Sequence, residues 1–401
     1  MKILHTADWH LGKKLDNFSR LEEQQQVLEE IVQIAKEQAV DMVLVAGDLF
    51  DNFNPSNEAT ELLYKTLKKL AQNGKVPVIA IAGNHDSPDR VNVADVLARE
   101  NGIIFIGSPI DVVPTFSLDG GFEVKQSELG YLEIKLPKVD FPIRLLHTAF
   151  ANEVRLKEYF GEDKQKALQE VLTQNWQALA DKYCDDEGVN ILISHLFMMK
   201  RGGEVLEEPE GERPLNIGNA DVVYSDAIPK QVQYAALGHL HRYQNVGTRQ
   251  PVVYSSSILP YSFSEAGQQK YVVIVTLQPG EEASYSTIPI TRGRKLERKK
   301  FDNIDFAIDW LQQHPEVLVE LTIQTDEFIK NDDRKLLYHS HSGIIRIIPE
   351  VKKIKEAQGK HQAIDLKKNE TELFIDYFKF KKEGQEPNKE ILDLLMEIVA
   401  S

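Results

Sequence analysis

The sequence predicts an α/β fold built on a mainly parallel sheet with helices on its faces. Two observations predict it. Short apolar runs alternate with segments of helical periodicity along the first half of the chain, which is typical of βαβ units and their parallel strands. Residues of the kinds that bind metal ions follow several of these runs, and open α/β sheets bind ligands beyond the carboxyl ends of their strands.

The first 277 residues supply strands and helices in turn. In the N-terminal half, the pattern predicts strands at 3–4, 42–46, 76–82 and 103–106, and helices at 21–35, 62–70 and 91–99. Farther along, it predicts strands over 124–150, a helix over 153–183, strands at 191–194, 233–237, 251–255 and 271–277, and a surface loop over 200–220. We interpret residues 1–277 as one domain.

A domain boundary is predicted near residues 278–300, where a Pro-Gly pair precedes a basic run from Arg292 to Lys300. The run is either a basic surface or a solvated linker. Beyond it, helix and strand patterns predict a small α+β module over 278–350. Residues 351–401 are charged and helical with one apolar face, and they form the third predicted part.

The composition excludes several classes of protein. Lys and Arg total 47 against 62 Asp and Glu, a net charge of −15, which argues against a simple basic nucleic-acid binder. It does not exclude an enzyme whose positive charge arrives as bound metal. The single cysteine, Cys184, excludes a disulfide framework and a thiolate metal site. Because the chain starts directly in a strand pattern and its apolar runs are too short to cross a bilayer, we expect a cytoplasmic protein without a membrane segment.

Five short segments place metal-binding side chains just after predicted strands. They are Asp8-Trp9-His10; Gly47-Asp48-Leu49-Phe50-Asp51; Gly83-Asn84-His85-Asp86; Ser194-His195; and Gly238-His239-Leu240-His241. Carboxylate, imidazole and amide oxygen together favour Mn²⁺, Fe²⁺ or Zn²⁺ over Ca²⁺. The segments therefore predict one shared metal site.

Each segment alone also has a structural explanation, because an isolated histidine after a strand is more often part of the packing. His339-Ser340-His341 has the same H-x-H spacing but lies in the second module without such partners, and we interpret it as structural. Five segments in order, each at a strand end, favour the functional interpretation.

In that order, Asp-x-His, Gly-Asp-x-x-Asp, Gly-Asn-His-Asp, a later His and Gly-His-x-His resemble the calcineurin-type metallophosphoesterase superfamily. The flanking residues 5–12, 46–51, 236–241 and 254–271 are similar to the family of nuclease subunits found in bacterial SbcC–SbcD complexes. The resemblance covers residues 1–277. It implies a β-sandwich flanked by helices in four αββα layers, followed by a small α+β capping domain and a helical C-terminal segment.

The resemblance also implies a role for each site residue. One metal ion would be held by Asp8, His10, Asp48 and His241, and the other by Asp48, Asn84, His195 and His239. His85 would be the catalytic histidine, Asp86 its orienting partner, and Asp51 a residue that ties a ligand in place. Arg90, which follows this motif, is predicted to contact phosphate, with a surface salt bridge as the alternative.

The chain departs from the family after the Gly-His-x-His strand. Relatives have Gly-Ser-Pro there, and this chain has Ser256-Ser257-Ile258. The missing Gly and Pro concern the local backbone shape and not the ligands.

The activity implied is that of a DNA nuclease with two divalent ions, Mn²⁺ in preference to Mg²⁺. It would be a 3′–5′ exonuclease on duplex ends and an endonuclease on single strands and hairpins, acting in DNA repair and recombination. A phosphodiesterase or phosphatase for small phosphoesters is the alternative, since it would share every ligand. By the same resemblance, residues 351–401 dock an SbcC-type ATPase rather than packing on the second module, and the nuclease forms a homodimer within a heterotetramer.

Overall fold

The computed structural model describes residues 1–203, 222–325 and 329–351, together with 373–375, 378, 387 and 392. The chain separates into two compact units, of which the first comprises Met1–Ile323 and Asn331–Ile348. The second comprises Gln324–Lys330 and Pro349–Ser401 and falls mostly outside the described residues. Most of the loop predicted over 200–220 and most of the apolar face predicted within 351–401 also lie outside them.

The strands are, in chain order, β1 (Lys2–Thr6), β2 (Lys14–Leu15), β3 (Phe18–Ser19), β4 (Met42–Ala46), β5 (Val78–Ile81), β6 (Ile103–Ile106), β7 (Phe116–Ser117), β8 (Glu123–Glu128), β9 (Tyr131–Lys135), β10 (Ile143–Thr148), β11 (Val189–His195), β12 (Met198–Met199), β13 (Val223–Tyr224), β14 (Tyr234–Gly238), β15 (Gln244–Asn245), β16 (Val252–Tyr254), β17 (Tyr271–Thr276), β18 (Ser284–Pro289), β19 (Leu296–Phe301), β20 (Leu318–Thr325) and β21 (Ile344–Val351). The α-helices are α1 (Leu21–Glu37), α2 (Asn57–Ala71), α3 (Pro88–Asn92), α4 (Asp95–Arg99), α5 (Glu153–Leu156), α6 (Lys164–Tyr183), α7 (Ile304–Gln313) and α8 (Asn331–Ser340).

Two large sheets dominate the described part of the chain. The first has the strand order β18-β17-β1-β4-β5-β6, in which β1, β4, β5 and β6 are parallel. The second has the order β15-β16-β14-β11-β10-β9-β8-β7, in which β10, β11, β14 and β16 are parallel. Because parallel strands share one direction, their carboxyl ends meet at one edge of each sheet.

Three apolar cores stack these sheets and helices into four layers. Val27 of α1 packs with Val43 of β4 on the outer face of the first sheet. Leu44, the next residue of β4, lies in the core between the two sheets, since successive side chains of a strand point to opposite faces. Trp176 of α6 packs with Leu192 on the outer face of the second sheet. The predicted αββα arrangement is therefore confirmed.

Two predicted helices are interrupted. The helix expected over 91–99 is split into α3 and α4, and the helix expected over 153–183 is split into α5 and α6. The second break follows from the backbone, because Lys157 and Gly161 have φ of 57° and 71° and a right-handed helix cannot pass through them. The chain becomes helical again after Asp163, whose side chain accepts a hydrogen bond from the N–H of Lys166.

The first sheet continues beyond residue 277, because β18 pairs antiparallel with β17. The basic run after it is not a linker throughout, since its second half forms β19, which pairs with β20 in a three-stranded sheet. The division into domains 1–277, 278–350 and 351–401 stays a prediction. No helix in the described ranges has the length and apolar character that crossing a membrane requires.

Candidate metal centre

Potential metal ligands follow the strands of both sheets. They lie at one edge of the sandwich. The first sheet contributes Asp8 and His10 after β1, Asp48 after β4, and Asn84, His85 and Asp86 after β5. The second sheet contributes His195 at the end of β11, and His239 and His241 after β14. All nine side chains are buried, with at most 7% of their surface exposed.

One group of side chains surrounds His10. Its Nε2 lies 3.0 Å from Nε2 of His241 and 3.5 Å from Oδ2 of Asp48. Ligand atoms of Asp8, His10 and His241 lie within 4.8 Å of one another. Nitrogen and oxygen ligands bind divalent transition metals at about 2.0–2.2 Å, so atoms spaced in this way can share one ion.

A second group surrounds Asn84. Its Oδ1 lies 2.9 Å from Nε2 of His195 and 3.1 Å from Nδ1 of His239. Oδ2 of Asp48 lies 3.3 Å from Nε2 of His195. Asp48 thus contacts both groups, as a bridging carboxylate must.

Two carboxylate oxygens in this cluster indicate that a cation belongs there. Within the ranges that the structure describes, Oδ2 of Asp8 and Oδ2 of Asp48 are buried without a hydrogen-bond partner. A buried carboxylate oxygen without a hydrogen bond is costly, and a bound cation would offset that cost. The surrounding donors are carboxylate oxygen, imidazole nitrogen and amide oxygen, which suit divalent transition metals. The residues therefore fit two divalent ions.

The backbone of the cluster is unusual. Asp8, His10, Asp48 and His239 have φ of 53°, 44°, 48° and 106°, in the region that favours glycine. Left-handed conformations of this kind cost about 1–2 kcal/mol per residue and concentrate at functional sites. Space is equally constrained, because a Cβ at Gly83 would collide with Oδ1 of Asp48. These positions explain why glycines and sharp turns follow the strands.

Ser256 keeps the backbone shape that the missing glycine would give. Its φ is 89°, again in the region that favours glycine. The Oγ of Ser256 accepts a hydrogen bond from the N–H of Tyr271 at 3.0 Å. The departure from the family pattern therefore changes the side chain but leaves the turn beside His241 in a glycine-like conformation.

His85 lines an open cavity of about 480 Å³ beside the cluster. Its Nδ1 lies 2.9 Å from the carbonyl oxygen of Asp51, and its backbone N–H donates to Oδ1 of Asp48 at 2.9 Å. The carboxylate of Asp86 accepts backbone N–H groups from Gly83 and from the loop after β4 at 2.8–2.9 Å. The sequence predicts that the carboxylate of Asp86 orients His85. In the structure, the group next to Nδ1 of His85 is the backbone carbonyl of Asp51. Asp86 fixes the two loops instead.

The side chain of Asp51 lies at the rim of the cluster. Its Oδ1 is 4.0 Å from Nδ1 of His10 and 3.0 Å from Nζ of Lys13. The distance to His10 is longer than a hydrogen bond. The role predicted for this carboxylate, tying a ligand in place, stays a prediction.

Arg90 and the second H-x-H motif lie apart from the cluster. The exposed guanidinium of Arg90 donates to Oδ1 of Asn54 at 3.1 Å. In the second module, Nε2 of His341 lies 3.1 Å from the carbonyl oxygen of His314, and its Nδ1 accepts a hydrogen bond from the N–H of Gly343. These contacts are those of a structural histidine.

Burial and neighbouring charges shift the pKa values of the cluster in opposite directions. Burial raises the pKa of Asp8 and of Asp86 to about 6. Burial acts in the same sense on Asp48, but His195 and His10 outweigh it and hold the pKa of Asp48 well below its usual range. Burial lowers and Asp48 raises the pKa of His195, with a net rise to about 9. Negative charge is therefore concentrated on the carboxylate that contacts both groups.

Two residues outside the predicted motifs hold the loop that carries His10. Nε2 of Gln24 donates to the carbonyl oxygens of Trp9 at 3.2 Å and His10 at 2.8 Å. Tyr261 donates its hydroxyl to the same carbonyl of Trp9. Gln24 carried a sequence signal, since it is a polar residue on the buried face of α1, whereas Tyr261 carried none.

A third such residue, Arg155, holds the loop that carries His85. Its guanidinium donates to the carbonyl oxygens of Gly83 at 3.0 Å and Asp86 at 2.8 Å. The guanidinium also lies 5.1 Å from the ring centre of Phe150. Arg155 therefore fixes the position of the catalytic candidate from behind.

Glu265 and Lys270 form a buried ion pair that contacts His241. The sequence predicted no site role for either residue. Burial raises the pKa of Glu265, but His241 and Lys270 outweigh it and lower the pKa to about 2. Glu265 is therefore a carboxylate inside the protein.

Comparison with known proteins shows the family of this chain. A family model described as calcineurin-like phosphoesterase matches residues 1–243. The chain is 33% identical over 411 residues to the SbcD subunit of the SbcCD nuclease of Bacillus subtilis (strain 168), covering 100% of this chain and 98% of that protein. It is 31% identical over 302 residues to the corresponding SbcD subunit of Staphylococcus epidermidis, covering 74% and 71%. Among solved structures, a dimetal phosphatase from Danio rerio matches with a TM-score of 0.38 and 14% identity over 73% of this chain and 99% of that chain.

The fold and the site thus define a metallophosphoesterase, a hydrolase of phosphate esters. The chain belongs to the calcineurin-like phosphoesterases and, within them, to the family of SbcD subunits of SbcCD nucleases.

Proposed function

We propose that this protein is a metal-dependent nuclease that hydrolyses phosphodiester bonds of DNA as one subunit of a complex with an SbcC-type ATPase. The observation that carries the proposal is the convergence of strand-end ligands from both sheets around Asp48. The name of the relatives, which are SbcD subunits of the SbcCD nuclease, supports the substrate class and the partner. We infer a place in DNA repair and recombination, in the cytoplasm.

We assign Asp8, His10, Asp48 and His241 to one ion, and Asp48, Asn84, His195 and His239 to the other. When bound, two divalent ions stabilise negative charge on the phosphate as Lewis acids and lower the pKa of an attacking water. We propose Mn²⁺ in preference to Mg²⁺, because four imidazoles make a nitrogen-rich set and Mg²⁺ is bound chiefly by oxygen.

The protein's own catalytic contribution comes from His85, which faces the cavity. The carbonyl of Asp51 accepts the Nδ1 proton and so stabilises the imidazolium form. We propose that this imidazolium protonates the departing 3′-oxygen, a step that contributes about 10²–10⁴-fold in rate. Asp86 and Arg155 act indirectly, by fixing the loop that carries His85.

Positive charge on the cavity wall supports an anionic polymer as substrate. Lys13, Lys14, Arg298 and Arg346 all line the cavity. Three carboxylates, Asp16, Asp51 and Glu320, line it as well and pair with Arg346, Lys13 and Arg298. The wall thus carries one more cation than it has carboxylates in a protein whose net charge is −15, and an excess of positive charge attracts phosphate. Arg90 remains the proposed further phosphate contact.

We propose that the chain also self-associates, as a homodimer within a heterotetramer. Val93, Val96 and Leu97, in and between the short helices α3 and α4, are 76%, 68% and 72% exposed. Adjacent exposed apolar side chains mark interaction surfaces.

We assign docking of the ATPase to residues 351–401. Deletion of residues 370–401 should abolish co-purification with the ATPase, and retained binding would contradict this assignment.

A nuclease assay on end-labelled duplex DNA tests the proposal. The metal-stripped chain is assayed with Mn²⁺, with Mg²⁺ and with chelator, each in the presence and absence of the ATPase subunit. We expect cleavage with Mn²⁺, none with chelator, and none for Asp48→Ala. A cyclic nucleotide serves as the competing substrate. Hydrolysis of the nucleotide with no cleavage of DNA would favour the small-phosphoester alternative.

A further inference from the structure

We infer that Glu265, held in place by Lys270, is a positioning residue for His241 and sets the affinity of one of the two metal ions. The inference rests on the proposed metal centre and adds to it a residue that is not itself a ligand.

Glu265 and Lys270 form a buried unit directly behind the ligand. They are 2% and 3% exposed. Oε1 of Glu265 lies 3.2 Å from Nδ1 of His241, and Oε2 lies 2.5 Å from Nζ of Lys270. The ammonium also donates to the carbonyl oxygen of His241 at 2.8 Å. The pair therefore holds His241 by its ring and by its main chain.

This contact selects one tautomer of the imidazole. A carboxylate only accepts hydrogen bonds, so Nδ1 of His241 must carry the proton. The lone pair then lies on Nε2, the atom that is 3.0 Å from Nε2 of His10 in the proposed ligand group. A carboxylate behind a metal-binding histidine also makes the ring a stronger electron donor.

The other ligand group is supported differently. Nδ1 of His195 lies 2.8 Å from the carbonyl oxygen of Ala46, a neutral acceptor. One histidine of the centre is thus backed by a full charge and another by a dipole. Loss of the charge at Glu265 should therefore lower the affinity for the ion bound by His241 and leave the affinity for the second ion little changed.

A purely structural role is the competing explanation, because Glu265 also accepts the N–H of Tyr261 at 3.1 Å and so shapes the chain between β16 and β17. An ion pair is an expensive way to fill a core, since apolar residues of similar volume are often equally stabilising. The competing explanation predicts a loss of thermal stability without a change in metal affinity.

The test is a Mn²⁺ titration of the full-length, metal-stripped chain by calorimetry, with melting temperatures measured beside it. Glu265→Gln keeps the shape and one acceptor oxygen but removes the charge. We expect two ions in the wild type, and in this variant one ion bound about 10–100-fold more weakly. Glu320→Gln is the matched control, since Glu320 is also buried (6% exposed) and paired, with Arg298 at 3.0 Å, but it belongs to β20 and lies on the wall of the cavity rather than behind His241.

Three outcomes overturn the inference. The first is that Glu265→Gln binds both ions with wild-type affinity, which would overturn the role of Glu265 but leave the proposed metal centre intact. Equal weakening in Glu320→Gln would also do so, because the effect would then be general. A wild type that binds no Mn²⁺ would overturn the proposed centre and the inference with it.

A measurement on the wild type covers the case in which Glu265→Gln does not fold. In ¹⁵N spectra of the chain loaded with diamagnetic Zn²⁺, His241 should be protonated at Nδ1, with its signals assigned by comparison with His241→Asn. A His241 protonated at Nε2, or bound to metal through Nδ1, would overturn the inference.

Discussion

Replacement of His147 by leucine should make the protein less sensitive to acid. His147 lies in β10 on the same side as Leu145, which belongs to the core between the sheets. In the part of the chain that the structure describes, neither of its ring nitrogens has a hydrogen-bond partner. Burial lowers the pKa of His147 from 6.5 to about 4. The imidazole is therefore an unpaired polar group in an apolar layer.

The size of the effect follows from this pKa. Because the folded-state pKa lies below the unfolded-state value, the unfolded chain takes up the proton first, and the free energy of unfolding falls as the pH drops through 6.5 towards 4. A difference of about 2.5 pH units at about 1.36 kcal/mol per unit amounts to about 3 kcal/mol, of which about 2 kcal/mol is lost by pH 5. Leucine has no proton to gain. At pH 7.5 it also removes two unpaired nitrogens, which should stabilise the fold by about 1–3 kcal/mol.

Urea unfolding of the metal-free chain, followed by circular dichroism at pH 7.5 and pH 5, measures this difference. The control is His339→Leu, which makes the same replacement at an exposed position of α8. The wild type and the control should lose about 2 kcal/mol more than His147→Leu between the two pH values. An equal loss in wild type and His147→Leu would refute the reasoning, since the buried imidazole would then have a partner that offsets its burial.

Three further predictions concern the site and its surroundings. His85→Ala should bind both ions yet lose about 10²–10⁴-fold in cleavage rate, whereas Asp48→Ala should lose the ions as well; Mn²⁺ titration beside the nuclease assay separates the two, and wild-type cleavage by His85→Ala would contradict its role. At position 256, glycine should give a free energy of unfolding about 1 kcal/mol higher than alanine, because both variants lose the bond to Tyr271 but only alanine keeps the left-handed strain; urea unfolding of Ser256→Gly and Ser256→Ala measures this, and the opposite order would contradict it. Leu97→Glu should shift the chain from dimer to monomer in sedimentation velocity, and an unchanged dimer would exclude this surface.

The clustering of the strand-end side chains could be predicted from sequence because the signal is local. A strand pattern, a glycine and a metal-binding side chain occur within a few residues of one another at Asp48 and Asn84, and parallel pairing brings such ends to one edge. The four-layer arrangement also followed from the family resemblance. What the local pattern lacked was direction. Asp86 is adjacent to His85, but its carboxylate turns to backbone N–H groups, and adjacency in sequence does not reveal which way a side chain points.

The supporting residues could not be predicted, because their contacts join distant parts of the chain. Arg155 meets Gly83 across 72 residues, and Glu265 meets His241 across 24. Neither residue lies in one of the strand-end motifs, and the helical periodicity around Arg155 does not indicate which loop its side chain contacts. Helix breaks were missed for a related reason, since the apolar periodicity over 153–183 does not register the left-handed backbone at Lys157.

The division of the ligands between the two sheets ties the chemistry to the cohesion of the whole sandwich. Asp48 comes from one sheet and His195 and His241 from the other, so neither sheet holds a complete set of the proposed ligands. An ion bound by both sheets would link them, and its binding free energy would add to the stability of the folded chain. A displacement of one sheet against the other would separate the members of both proposed ligand groups at once. The availability of metal would then affect the stability of the folded chain as well as its activity.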